Sequence, residues 1–196
     1  MLRYYSGMRF VYNLIPSLEK SKDPRVVSVL AAGKEGLIEE GNLDLKQRFS
    51  ISASNSYPAT MTSLLFQVLA TKHRTISFVH EFPGFVATPL LKHSLGNIAG
   101  TLLGLLMKPL MMKPSESGEW AVFLSTSHSF PPKDSPGRKG ARVARSPTGL
   151  VGDGVYLVNY DGEDVTNQRI MGQLRASGFL STVEKHTLET IRLLSC

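Results

Sequence analysis

The sequence predicts an α/β fold in which about three parallel strands are flanked by helices. Three short runs rich in β-branched residues, 25–33, 75–80 and 154–160, have the composition of strands. Segments with apolar residues at helical spacing separate them, and this alternation is typical of right-handed crossovers in a parallel sheet. The 196 residues are 42% apolar and 19% charged, which suits one globular domain over residues 1–196.

The first half supplies two of the strands and two of the helices. Residues 4–18 place apolar side chains at steps of three and four, which predicts an amphipathic helix before the first strand. Polar residues 34–56 predict a long loop with at most short helical turns. Helical spacing returns from Tyr57 to Leu69, and the strand 75–80 is followed by a predicted loop over 81–90.

The second half continues the same order. Helices are predicted over 95–107 and 116–124, before a flexible basic loop over 131–148. The third strand, 154–160, follows this loop, and a helical repeat over 179–194 closes the chain. The glycines of 149–154 precede a strand instead of opening a helix, so they predict a turn and not a phosphate-binding loop.

Charge and residue usage exclude several classes of function. The net charge of +6 comes largely from the loop 131–148, which has no interleaved aromatic residues, so a solvated loop is favoured over nucleic-acid binding. The single cysteine, Cys196, excludes a disulfide framework and a cysteine-based zinc site. The five histidines lack metal-ligand spacing, so no metal site is predicted.

Membrane association is also not expected. The most apolar run, 98–112, is interrupted by Lys108 and Pro109 and is shorter than the roughly 20 residues of a spanning helix. Residues 1–18 have the pattern of a helix and not of a secretory signal, so we expect a cytoplasmic protein.

One motif carries a family resemblance. The stretch from His80 to Thr88, directly after a strand, resembles the Pro-Gly-x-Val-x-Thr turn of short-chain dehydrogenases/reductases, and the helices and strands around it follow the order of that family. Residues 116–120 and the tail 183–191 are most similar to its divergent fungal branch. The resemblance implies the C-terminal half of a Rossmann-type, doubly wound parallel sheet, truncated at its N-terminus.

The resemblance also implies a site and a cofactor. Pro83, Gly84 and Val86 would line the nicotinamide side of an NAD(P) molecule, with Thr88 near its carboxamide or pyrophosphate. The apolar helix within 90–107 would close over the substrate, which implies an apolar small molecule.

The chain departs from the family at its catalytic positions. The family's glycine-rich phosphate turn is absent, and Ala31 stands near the strand end where the family has a serine. Tyr57 is the candidate acid/base of the family's Tyr-x-x-x-Lys pair, but Met61 replaces the lysine and cannot lower the pKa of a phenol. His80 and Glu81 point to opposite faces of a strand, so His80 is expected to be structural.

Three hypotheses about function remain open at this point. The first is an NAD(P)-dependent oxidoreductase acting on an apolar carbonyl or hydroxyl compound, by resemblance in fungal secondary metabolism. The second is a non-catalytic module that binds protein partners, or a second copy of itself, through the exposed strand 25–30 and the helices 4–18 and 58–70, which form the family's dimer contact. The third is a small-molecule or lipid binder built on 90–112.

Overall fold

A computed structural model of the chain describes residues 1–88, 96–135, 140 and 142–193. Its elements are α1 (Leu2–Leu18), β1 (Arg25–Val29), α2 (Ile51–Lys72), β2 (Ser77–Phe82), α3 (Asn97–Met107), α4 (Pro114–Thr126), β3 (Val155–Asn159), α5 (Gln168–Ala176) and α6 (Phe179–Leu193). Short 3₁₀ turns lie at Glu40–Asn42 and Lys108–Leu110.

The three strands form one parallel sheet in the order β1-β2-β3. In its register Ser28 lies beside His80, and His80 lies beside Leu157. The predicted α/β architecture with three parallel strands is therefore confirmed. Because all three strands run the same way, their carboxyl ends meet at one edge of the sheet, where parallel sheets bind their ligands.

Helices cover the sheet on two faces. On one face α1, α2 and α6 pack over side chains such as Phe78, whose ring centroid lies 5.3 Å from that of Phe66. On the other face Leu124 of α4 and Phe130 pack against Val79 and its neighbours. The Arg25 guanidinium closes this second layer by donating to the Leu124 and Phe130 carbonyls at 2.7 and 3.0 Å.

The predicted start of α2 and the predicted end of β2 are wrong. Helix α2 begins at Ile51, because Ser50 caps it by accepting the Ala53 N–H at 3.0 Å. Residues 51–56 are therefore helical, and Tyr57 lies in the second turn instead of opening the helix. Strand β2 continues through Phe82, so Glu81 belongs to the strand and not to the loop after it.

Helix α5 was not predicted from the sequence at all. Its N-cap is Asn167, whose side chain accepts the Ile170 N–H at 3.2 Å. Its three buried residues belong to the same core cluster as α1, α2 and α6. The segments 89–95, 136–139 and 194–196, with residue 141, lie outside the described residues, and so do parts of the predicted helix 95–107 and of the basic loop 131–148.

Strand β1 forms an edge of the sheet, as expected from the sequence, and Val29 at its end is 55% exposed. Helix α3 matches the predicted helix from Asn97 onward, and its leucines 102, 105 and 106 are exposed. Among the helices that the structure describes, none combines the length and apolar character needed to cross a bilayer.

Candidate functional site

Three loops meet at the carboxyl edge of the sheet and form the candidate site. They are residues 31–39 after β1, 83–88 after β2 and 160–166 after β3. The first and third touch each other at Gly33, which has φ +80° and leaves no room for a Cβ: an added carbon would lie 2.9 Å from the Val165 carbonyl oxygen. Glycine at this position thus allows the two loops to close over the end of β2.

The loop after β2 contains the four residues assigned to the cofactor. Gly84 has φ +70°, and a Cβ there would lie 3.2 Å from the Tyr160 ring. Val86 is bridged to Met112, whose N–H donates to the Phe85 carbonyl at 2.8 Å. Pro83, Gly84 and Val86 therefore lie in a short segment fixed at both ends, and the Thr88 side chain is exposed just beyond it.

Aromatic side chains give this edge an apolar surface. Phe82 and Phe85 meet edge to face with centroids 6.2 Å apart, and Phe85 is 55% exposed. On the far side Trp120 of α4 meets Tyr160 at 5.9 Å. An unsaturated or apolar ring could therefore pack here without the loss of any buried hydrogen bond.

The loop after β1 is held by a polar stripe on α2. The Thr60 hydroxyl accepts the Gly36 N–H and donates to the Gly36 carbonyl, both at 2.9 Å. One turn earlier, the Tyr57 hydroxyl accepts the Glu39 N–H at 3.2 Å. One turn later, Ser63 binds Glu35. The spacing of these three α2 residues puts them on one face of the helix, where Tyr57 and Thr60 satisfy backbone groups of the loop and Ser63 binds one of its side chains.

A buried chain of hydrogen bonds lies beneath this loop. The Ser63 hydroxyl donates to Glu35 Oε1 at 2.7 Å and lies 2.8 Å from His80 Nδ1. His80 Nε2 accepts the Ala31 N–H at 3.2 Å, so the imidazole proton is on Nδ1 and is donated to Ser63. The chain therefore runs in one direction, from the Ala31 N–H through His80 and Ser63 to the Glu35 carboxylate.

Burial shifts the pKa values of both His80 and Glu35, the two titratable groups in this series of hydrogen bonds. His80 is fully buried, which lowers its pKa to about 3, so the imidazole is neutral at physiological pH. Burial raises the pKa of Glu35, and hydrogen bonds from Ser63 and from backbone N–H groups partly offset the rise. Within the described residues Glu35 Oε2 has no hydrogen-bond partner. The expected structural role of His80 agrees with this geometry.

Glu81 lies on the opposite face of β2, as the alternation of strand side chains requires. It is 1% exposed, its Oε2 lacks a partner among the residues that the structure describes, and burial raises the pKa of its carboxyl. His80 and Glu81 therefore do not form an acid/base pair.

Tyr57, the predicted acid/base residue, is 7% exposed, and its hydroxyl faces the Glu39 amide. Met61, which stands where the family has its lysine, is fully buried. Sequence reasoning did not single out Glu35, Thr60 or Ser63. For Thr60 and Ser63 the signal was the recurrence of polar residues every three positions within a largely apolar part of α2. Glu35 lies in the loop before that helix and had no such signal.

Across the described ranges no three metal-ligating side chains come close enough together to hold an ion. The side chains described at this edge are aromatic rings, hydroxyl groups and charged groups.

Comparison with known proteins finds fungal oxidoreductases. The chain is 39% identical to the oxidoreductase andH of Emericella variicolor over 98% of its own length and 60% of that protein's. It is 32% identical to the NmrA-like family domain-containing oxidoreductase notO of an Aspergillus species, over 94% of the chain and 54% of the relative. It is 27% identical to the short-chain dehydrogenase/reductase SAT2 of Stachybotrys chartarum, over 96% and 56%.

The chain thus spans between half and two thirds of the length of these relatives. No protein-family model matches the sequence. No solved structure matches it either.

Proposed function

We propose that this chain forms the nicotinamide-binding and substrate-binding part of an NAD(P)-dependent oxidoreductase of the short-chain dehydrogenase/reductase type. The substrate would be an apolar carbonyl or hydroxyl compound. The observation that carries the proposal is the convergence of three parallel strand ends on a fixed Pro83–Thr88 segment lined by aromatic rings. The names of the fungal relatives support the same class of reaction.

The residues present fit one half of a dinucleotide. The exposed Phe85 ring and Val86 offer an apolar wall for a flat ring, and the Thr88 hydroxyl offers a hydrogen-bond partner for a carboxamide or phosphate. A bound nicotinamide cofactor supplies or accepts a hydride. The chain's own residues would position the two reactants at the carboxyl edge of the sheet.

Binding tests the proposal directly. Titration of the chain against NADPH and NADH, followed by the fluorescence of the reduced nicotinamide, should give saturable binding. Thr88→Val should weaken it severalfold, because it removes the hydroxyl but keeps the shape. Thr126→Val is the matched control, since its hydroxyl donates to the Val122 carbonyl of its own helix. Absence of saturable binding to wild-type chain at millimolar concentrations overturns the proposal.

A second candidate function, a protein-interaction module, is favoured by the β1 edge. A groove of about 320 Å³ lies between α1 and β1, lined by apolar residues that include Leu14 and Val26. Phe10, which also lines the groove, is 69% exposed. Of the two helices expected to mediate self-association, α2 is buried within the chain over residues 57–67. Helix α1 has exposed apolar side chains that a partner could contact.

Sedimentation equilibrium tests this second candidate. Phe10→Ser should lower the degree of association if the α1 face mediates it. Phe49→Ser, a substitution at a phenylalanine that is 68% exposed outside the groove, is the control. A monomeric wild-type chain would exclude self-association.

A further inference from the structure

The turn at the end of β1 is fixed by hydrogen bonds before and after Lys34, whose side chain is exposed at the carboxyl edge of the sheet. The Lys34 N–H donates to the Ala31 carbonyl at 3.1 Å and closes the turn. On one side of Lys34 the Ala31 N–H is bound by His80, and on the other Glu35 is bound by Ser63. Gly36 follows, bound through both of its backbone groups to Thr60.

This turn uses buried polar groups to fix an exposed residue. Residues Glu35, Ser63 and His80 are all at most 5% exposed, whereas Lys34 between them is exposed. Buried hydrogen-bond networks of this kind restrict the conformations of the backbone that they hold. Rigid support under a charged side chain at a ligand-binding edge is the arrangement that recognition sites require.

The ammonium of Lys34 lies over an aromatic surface. Its Nζ is 5.2 Å from the centroid of the Phe82 ring, and Phe82 in turn meets Phe85 edge to face. Lysines 46, 72 and 133 each pair with a carboxylate, whereas no carboxylate within the described part of the chain lies within 4.0 Å of Lys34 Nζ. A lysine without a carboxylate partner among the described residues, beside the half-buried Phe82 ring and the exposed Phe85 ring, is complementary to an apolar molecule that carries one anionic oxygen group.

We propose that Lys34 determines substrate specificity by pairing with a carboxylate on an otherwise apolar substrate. This inference rests on the proposed function, because it takes the crevice at the strand ends as the place where substrate binds. The apolar body of the molecule would lie against Phe82 and Phe85, and its carboxylate would meet the ammonium. The substrate class is thus narrowed from apolar carbonyl or hydroxyl compounds to those that also carry a carboxylate.

Two probes of the same shape and different charge test the inference. Amide chemical shifts of ¹⁵N-labelled chain are followed while 2-naphthoate or the neutral 2-acetonaphthone is added. We expect shifts at the amides of Gly33, Lys34 and Gly84, and binding of naphthoate that is about two- to fivefold tighter, as for an exposed ion pair. The preference should disappear in Lys34→Met and remain in Lys34→Arg.

Lys20→Met is the matched control, since Lys20 is an exposed lysine between α1 and β1, at the opposite end of the sheet. Equal binding of the two probes to wild-type chain, or an unchanged preference in Lys34→Met, overturns the inference. So does a loss of NADPH binding in Lys34→Met with the naphthoate preference intact, which would assign the ammonium to the dinucleotide. Failure of wild-type chain to bind NADPH, with a naphthoate preference that depends on Lys34, overturns the proposed function and leaves Lys34 as a carboxylate-binding residue.

Discussion

His80 Nδ1 lies 2.8 Å from the Ser63 hydroxyl, and this contact joins the end of β2 to the middle of α2. The imidazole also accepts the Ala31 N–H, and the hydroxyl also donates to Glu35. Two buried side chains, one on β2 and one on α2, thus hold the loop after β1 at two points, Ala31 and Glu35. The stability of the candidate site depends on groups that never reach its surface.

Substitution Ser63→Ala tests this dependence. It leaves the His80 N–H and a Glu35 oxygen buried without partners, so we expect the free energy of unfolding to fall by about 2 kcal/mol or more. Urea denaturation measures the change. Ser6→Ala is the control, since the exposed Ser6 hydroxyl only binds the Leu2 carbonyl of its own helix, and it should cost less than about 0.5 kcal/mol. Equal costs would contradict the assignment.

The protonation state of His80 gives a prediction in pH. An unfolded chain takes up a proton on this imidazole below about pH 6.5, whereas the folded chain does so only near pH 3. The unfolded state therefore binds more protons between these values, and the contribution of His80 to stability is lost as the pH falls through this window. The raised pKa of Glu35 acts in the opposite direction.

Imidazole ¹⁵N chemical shifts report the protonation of His80 independently of that of Glu35. We expect His80 to remain neutral, with its proton on Nδ1, at pH 5. A His80 signal that titrates near pH 6.5 in folded chain would show that the buried network is open to water.

Alanine substitutions at two glycines with similar φ angles separate the cost of a left-handed backbone from the cost of a steric clash. Gly33 and Gly178 have φ of +80° and +77°, but only Gly33 has neighbours in the way of a Cβ. Gly178→Ala should cost about 1–2 kcal/mol for the left-handed backbone alone. Gly33→Ala should cost about 1–3 kcal/mol more, because the new methyl group overlaps Val165. Thermal or urea unfolding of both variants checks the difference.

Tyr57→Phe decides between a structural and a catalytic tyrosine. The substitution removes the acceptor of the Glu39 N–H, so we expect a loss of about 0.5–1.5 kcal/mol in unfolding free energy. We expect the midpoint of NADPH binding to stay unchanged. If the variant binds NADPH normally and loses turnover of a substrate that wild-type chain converts, Tyr57 acts as the acid/base after all.

The exposed edge of β1 predicts a pattern of amide exchange. The Leu30 N–H donates to the Glu81 carbonyl at 2.9 Å, so the alternate amides of Ser28 and Val26 face β2 as well. The amides of Val27 and Val29 face outward. In hydrogen–deuterium exchange these two should exchange much faster than their neighbours in the strand, and protection of all four would show that another segment pairs with this edge.

The strands and most helices could be predicted because their side chains carry the signal. Runs such as Val26–Val29 favour extended backbone, and the apolar positions of α1 recur at the helical period. The start of α2 was missed because Ser50 and residues 51–56 have the polarity of a loop, and only the cap hydrogen bond distinguishes them. Fully buried helices carry weak periodicity, so the polar stripe of α2 could not be assigned to a partner without the fold.

The candidate site was predictable only in part, for a related reason. Pro83, Gly84, Val86 and Thr88 lie within six consecutive residues, so a local motif can single them out. The series of hydrogen bonds that runs from the Ala31 N–H to the Glu35 carboxylate uses residues from three separate segments of the sequence. No local pattern indicates that Ser63 lies against His80. Lys34 could not be singled out from the sequence, because a lysine in a polar segment is usually solvated and only the fold places it over the Phe82 ring.

The connection from β2 to β3 contributes unequally to stability. Leu124 and Phe130 anchor it in the second layer of the core, while the exposed leucines of α3 contribute no buried residue to either layer. Substitution of these leucines should therefore change the free energy of unfolding little. Sequence drift at these positions leaves both halves of the core unchanged, so this surface can vary between related chains without cost to the sheet.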